Sequence, residues 1–191
     1  MTSLDLSPAS TAFILIDLQN GIAGLPLAPH SFSTVLENSN KVAAALRDKG
    51  ATIVYVRVAV AETLHLPVDA PIRDPQAPPP PPDASELIDT LDRKPTDLVI
   101  TKRHWGAFYG TELDQQLRRR GIKTIVIGGI ATNFGVESTA RAALDRGYEI
   151  VFVEDAMTTV SPEAQQFAVR AIFPRMGRVR NTEAVLAALQ L

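Results

Sequence analysis

Three apolar runs each end in residues able to do chemistry. Asp17 ends the run Ala12-Phe-Ile-Leu-Ile16 and is followed by Gln19 and Asn20. Thr101-Lys102-Arg103-His104 ends a second run. Gly128-Gly129-Ile-Ala-Thr132-Asn133-Phe-Gly135 ends a third and opens a helical pattern. A carboxylate gives or takes a proton, an ammonium beside it tunes that proton, and a glycine-rich helix entry exposes backbone N–H groups. Alone, Asp17 reads equally as a turn residue and Lys102 as a solvated side chain; lying at the ends of neighbouring strands is what joins them. His104 and Trp105, just beyond Lys102, offer either a stacking surface for a small ligand or packing at a loop or subunit contact. Cysteine is absent from the 191 residues, so thiol catalysis, thiolate metal sites and disulfides are excluded together.

These residues need elements to carry them. Thr11–Asp17, Thr52–Arg57, Asp97–Thr101, Thr124–Ile127 and Glu149–Val153 are β-branched and apolar on both faces, as in strands of a buried parallel sheet. A short sixth strand is read around Arg178–Arg180. Between them lie helical patterns. Val35, Val42 and Leu46 share one face up to Gly50, and Leu113 and Leu117 precede Gly121. Val136, Ala140, Ala143 and Leu144 follow helical spacing up to Gly147. Ser161-Pro162-Glu163 is a cap, first-turn proline and acidic first turn, and a last helix runs from about Thr182 to Ala188. Asn133 is read as a helix cap. The expectation is one α/β domain over residues 1–191, a Rossmann-like three-layer α/β/α sandwich with a mostly parallel sheet of five to six strands. In such sheets ligands bind beyond the carboxyl ends of the strands, where Asp17, Lys102 and the glycine-rich turn lie.

The net charge of −2 gives no broad footprint for nucleic acid or an anionic membrane, and Arg118-Arg119-Arg120 reads as a solvated helix end. No apolar run reaches the ~18 residues of a membrane span, and the amino terminus lacks a signal-peptide pattern. A cytoplasmic location is the default expectation. Residues 59–83, with Pro67, Pro71, Pro75 and the run Pro78–Pro82, break the strand–helix rhythm. They read as a semi-rigid lid or subunit-contact arm, from which Arg73 and Gln76 could meet substrate carboxylates.

The blocks FILIDLQN (residues 13–20), TKRHWGAFYGTELDQQL (101–117) and IVIGGIATNFGVESTARAALDRGYEIVFVEDAM (125–157) resemble the isochorismatase-like, or cysteine hydrolase, family across nearly the whole chain. The resemblance implies an active site of Asp17, Lys102 and the position that holds the family's nucleophilic cysteine, here Gly135. It also implies a cis peptide at Ile130–Ala131, with the Ala131 and Gly135 amides turned inward as oxyanion donors, and a pocket position for Phe108. Nicotinamidases of this family hold a metal through an Asp-x-His after the second strand. Residues 58–71 here carry His65 alone, so neither metal nor cofactor is expected.

Cysteine-free isochorismatases are thought to protonate a vinyl ether from the aspartate, after which water captures the cation and pyruvate leaves. Three readings follow from the resemblance: vinyl-ether hydrolysis with Asp17 as acid, hydrolysis of an amide or related C–N bond by water activated at Asp17, or a small-molecule-binding or scaffold protein that lost catalysis with the thiol. The family further implies a homodimer or homotetramer acting on a small molecule.

Overall fold

The computed structural model describes residues 4–74 and 76–190; Pro75 lies outside the described residues. The chain alternates strand and helix in the order β1 (Thr11–Ile16), α1 (Asn20–Ala23), α2 (Phe32–Asp48), β2 (Thr52–Val58), β3 (Leu98–Lys102), α3 (Leu113–Arg119), β4 (Thr124–Ile130), α4 (Glu137–Asp145), β5 (Glu149–Thr158), α5 (Pro162–Phe167), β6 (Arg178–Arg180) and α6 (Thr182–Ala188). The six strands form one parallel sheet in the order β3-β2-β1-β4-β5-β6. The short sixth strand read from the sequence is β6.

Pleat alternation sorts the core into two layers. Ala12, Ile14 and Ile16 of β1, with Val54, Val56, Ile100, Ile125 and Ile127, meet Leu113 and Leu117 of α3 and Val136, Ala140 and Ala143 at the start and along α4. Phe13 and Leu15, with Ile53, Tyr55, Val126 and Val151, meet Val35, Val42 and Leu46 of α2 and Val185 of α6. Each sheet face buries apolar side chains, so the central strands β1 and β4 carry no exposed polar face. Phe152 and Phe173 stack at 4.0 Å between centroids in the first layer. Arg47 at the end of α2 binds Asp97 and Asp92, tying the segment before β3 to that helix.

Strands β4 and β5 run further than their apolar residues announce. Gly128 and Gly129 continue β4 alongside Leu15 and Ile16. Gly129 has φ 110°, and a side chain there would strike the Ile16 backbone, so glycine is what lets the two strands close up. Opposite them, β5 passes from Phe152 to Met157 while β4 passes only from Ile127 to Gly129. This bulge carries Glu154 and Asp155, whose charges masked the strand in the sequence.

The chain leaves β1 toward β2 and leaves β4 toward β5, in opposite directions along the sheet. The switch point between them lies at their carboxyl ends, where sheets of this kind bind ligands. No helix among the described residues is long and apolar enough to cross a membrane.

Candidate active site

Asp17 follows β1 directly and is the non-glycine residue with positive φ among those described, at 53°. Strict alternation would point Asp17 to the layer of Phe13 and Leu15, and Leu18 to that of Ile14 and Ile16. Instead Leu18 packs with Phe13 and Leu15, and the carboxyl group meets Lys102, whose strand positions Leu98 and Ile100 belong to the other layer. The left-handed residue resets the phase of the chain, a conformation aspartate adopts more readily than most side chains.

Lys102 Nζ donates to Asp17 Oδ2 at 2.7 Å and to the His104 carbonyl at 3.1 Å. The pair is nearly enclosed, with the Lys102 side chain 3% and the Asp17 side chain 9% exposed. Asp17 Oδ1 is buried and accepts no hydrogen bond from the protein. Burial pushes the Asp17 carboxyl up to about 6, even though the charge and hydrogen bond of Lys102 pull it down. An acid poised there is partly protonated near neutrality and can act as donor or acceptor.

The third member of the expected set lies beside them. A Cβ built on Gly135 would fall 3.6 Å from Asp17 Oδ2, 3.4 Å from the Trp105 carbonyl and 2.9 Å from Ile16 Cγ2. The place where a side chain would start is therefore closed by a methyl group of a stiff β-branched residue. Gly135 belongs to a wide turn of π-helical geometry, Thr132–Val136, that leads into α4. Thr139 Oγ1 donates to the Gly135 carbonyl at 2.7 Å and accepts from the Ala107 amide at 3.1 Å, fixing the turn against the loop after β3. The Ile130–Ala131 peptide is cis, and the Ala131 carbonyl accepts from the Phe134 and Val136 amides.

Other sequence candidates fall differently. His104 and Trp105 are exposed; His104 packs edge-on against Tyr109 and Trp105 against Phe134, the residue before Gly135. Phe108 is buried, with its ring against Tyr148 and the Arg146 guanidinium. Asn133 caps no helix: its Oδ1 accepts from Thr159 Oγ1 at 2.6 Å, and neither the wide turn nor α4 has a side-chain cap. Asn133 lies inside the turn, whose extended cap position is Ala131, a residue with no side-chain oxygen to accept such a bond.

Arg73 donates to the Pro78 carbonyl and, with His65, lines a cavity of about 290 Å³ inside the proline-rich segment, away from Asp17. A second cavity of about 390 Å³, lined by His30, Glu154, Gln165 and Arg170, is also separate. Gln76 is exposed. Among the described residues no group of three or more histidines, aspartates or glutamates gathers as metal ligands would.

Sequence reasoning missed Gln19. It is fully buried and amide-bonded to the ends of β2 and of the proline-rich segment. The signal was an uncharged amide two residues past a strand-end aspartate and next to the buried Leu18.

Comparison with known proteins gives these positions a family. Residues 11–184 match the isochorismatase domain model. The chain belongs to the isochorismatase family. It is 44% identical over 190 residues to the uncharacterized isochorismatase family protein YecD of Escherichia coli O157:H7, covering 97% of this chain and 100% of that one. Among solved structures it superposes on an isochorismatase family protein from Burkholderia thailandensis with TM-score 0.89, 43% identity and 98% of both chains covered. N-carbamoylsarcosine amidase from Thermoplasma acidophilum matches with TM-score 0.72 and 30% identity, over 91% of this chain and 97% of that one. This isochorismatase-family hydrolase differs from the cysteine hydrolases in having no thiol anywhere in its sequence.

Proposed function

We propose that this chain hydrolyses a small vinyl ether, with Asp17 as general acid and Lys102 as its electrostatic partner. The observation that carries the reading is a carboxyl group raised to about 6, with Oδ1 unbonded, in a site that has no nucleophilic side chain at Gly135. Oδ1 bears the proton while Oδ2 stays on Lys102. Transfer of that proton to the terminal carbon of the vinyl ether leaves an oxocarbenium ion. Water then adds to it, Asp17 takes the proton the water loses, and the hemiketal collapses to a keto acid and an alcohol. Trp105 and His104 supply a face at the rim. The Lys102 charge makes the buried acid stronger than burial alone would, so it remains able to give up its proton.

The test is incubation of the wild type and Asp17→Asn with isochorismate-type vinyl ethers while pyruvate is measured. The wild type should release pyruvate and the variant should not. With a carboxyl group at about 6, roughly one site in ten is protonated at pH 7, so kcat/KM should fall roughly tenfold per pH unit above that point. A flat profile to pH 9, with chemistry rate-limiting, refutes the acid role.

The similarity to N-carbamoylsarcosine amidase supports a second reading, in which ionised Asp17 takes the proton of a water attacking a C–N bond. Ammonia or amine release, with activity rising through pH 6, identifies it. The exposed Leu64, Leu66, Val68 and Ile72 of the proline-rich segment support its use as a contact arm between copies of the chain, which light scattering checks.

A further inference from the structure

We propose that Gln19 is the positioning residue of the site, holding the ends of β1 and β2 in the register that lets the Lys102 side chain reach the Asp17 carboxyl group. The proposal rests on the pairing of Asp17 with Lys102 described above, and its test needs no substrate.

The two charged groups come from strands that are not neighbours. Asp17 follows β1 and Lys102 ends β3, with β2 between them, so their backbones stand about two strand spacings, roughly 10 Å, apart. What happens at the end of β2 therefore decides whether the side chains meet. Strand β1 stops pairing with β2 at Ile16 opposite Val56, after which the Asp17 amide donates once more to the Val56 carbonyl at 2.8 Å. Beyond that point the backbone of Val58 has no β1 neighbour.

The Gln19 side chain takes the missing strand's place. Its Oε1 accepts from the Val58 amide at 2.8 Å, and its Nε2 donates to the Val58 carbonyl at 3.1 Å and to the Ala84 carbonyl at 2.8 Å. Both partners of Nε2 are carbonyls and the partner of Oε1 is an N–H, so the amide orientation is fixed by its surroundings. On its far side Val58 is in register with Lys102, and the Ala59 amide donates to the Lys102 carbonyl at 2.9 Å. The line runs from Asp17, through the Gln19 amide and Val58, to Lys102. The Gln19 backbone N–H donates back to the Asp17 carbonyl at 2.9 Å, holding the left-handed turn.

The third bond brings in the proline-rich segment. Its exit is fastened to the same turn by Gln19 to Ala84, Gly21 N to the Ala84 carbonyl and Asn20 N to the Glu86 carbonyl, while its entrance is the Val58–Ala59 backbone. Gln19 is the point at which entrance, exit and Asp17 are joined.

The experiment is titration of the Asp17 carboxyl carbon by ¹³C NMR in the full-length chain. Gln19→Met keeps the length and loses the amide. Gln19→Asn keeps a buried amide but is too short to meet Val58 and Ala84 together, and it serves where Gln19→Met fails to fold. In either folded variant Lys102 is no longer held on Oδ2, and the proton affinity of Asp17 should rise about three- to tenfold, less than in Lys102→Met. Asn20→Ala, which loses only two bonds to Asp83, should leave it where it is. Adding Gln19→Met to Lys102→Met should produce no further rise, because the positioned partner is already gone.

A folded Gln19 variant with the wild-type midpoint, or a further rise in the double variant, overturns the proposal and leaves Gln19 as a plug at the end of β2. Absence of pyruvate release overturns the proposed reaction and does not bear on this result.

Discussion

Replacing Lys102 with methionine removes the ammonium while keeping a side chain of similar length in a nearly enclosed position. In the wild type two opposing effects set the Asp17 carboxyl group: burial raises it, and the cation at 2.7 Å lowers it, leaving it at about 6. At an effective dielectric of ~20 the direct attraction at that distance is about 6 kcal/mol, and the ammonium's own loss of hydration offsets part of it. A cation this close changes the proton affinity of a carboxylate tenfold to a thousandfold, or about 1.4–4 kcal/mol. Without it burial acts unopposed, so the Asp17 midpoint in Lys102→Met must move upward from about 6 by that factor.

The assay is the ¹³C titration of the Asp17 carboxyl carbon, with Asp17→Asn identifying the resonance. Activity should change in a linked way. The acid becomes populated to higher pH but weaker, so the descending limb of the rate profile moves to higher pH while its plateau drops. An unchanged or lowered midpoint in a folded Lys102→Met would refute the reasoning, since it would mean that the ammonium does not act on the carboxylate in solution.

Three further outcomes follow from the same contacts. The folded chain holds the Asp17 proton more tightly than the unfolded chain does, with about 6 against 3.8. Its contribution to stability is thus fully present below pH 3.8 and is lost as pH rises through 6. That loss amounts to about 3 kcal/mol and should be missing from the pH dependence of urea unfolding in Asp17→Asn. Gly135→Ala forces its methyl against Ile16 Cγ2 and should cost about 1–3 kcal/mol, whereas Gly106→Ala, whose Cβ would meet Ser138 at 3.6 Å, should be tolerated; thermal denaturation compares the two. Arg47→Met leaves Asp97, 3% exposed at its side chain, without its guanidinium, and urea unfolding should show a loss of about 3 kcal/mol.

Much of the architecture was legible because the strands are apolar on both faces. Ala12–Ile16, Ile53–Val56 and Ile125–Ile127 leave a parallel sheet covered by helices as the arrangement that hides them, and the glycines at 50, 121 and 147 mark where helical segments end. The approach of Asp17 to Lys102 was legible only as a shared edge of the sheet. Its realisation depends on a left-handed backbone at Asp17, and nothing in one sequence distinguishes that from continued alternation. Asn133 misled because a capping side chain and one that bonds to Thr159 look alike until the partner is known. The bulge of β5 was hidden because its charged residues lie where the strand departs from its neighbour.

The contact between Ile16 and the bare backbone of residue 135 has a consequence for how this chain could change its chemistry. Gaining a thiol at position 135 by one substitution brings steric overlap, and trimming Ile16 to alanine first opens a hole in a core that has no slack, at about 2–5 kcal/mol. Each of the two steps is penalised until the other has been taken. The absence of a nucleophile at residue 135 is in this way latched by a single methyl group, and a move to cysteine hydrolysis would have to cross a valley rather than walk along a ridge.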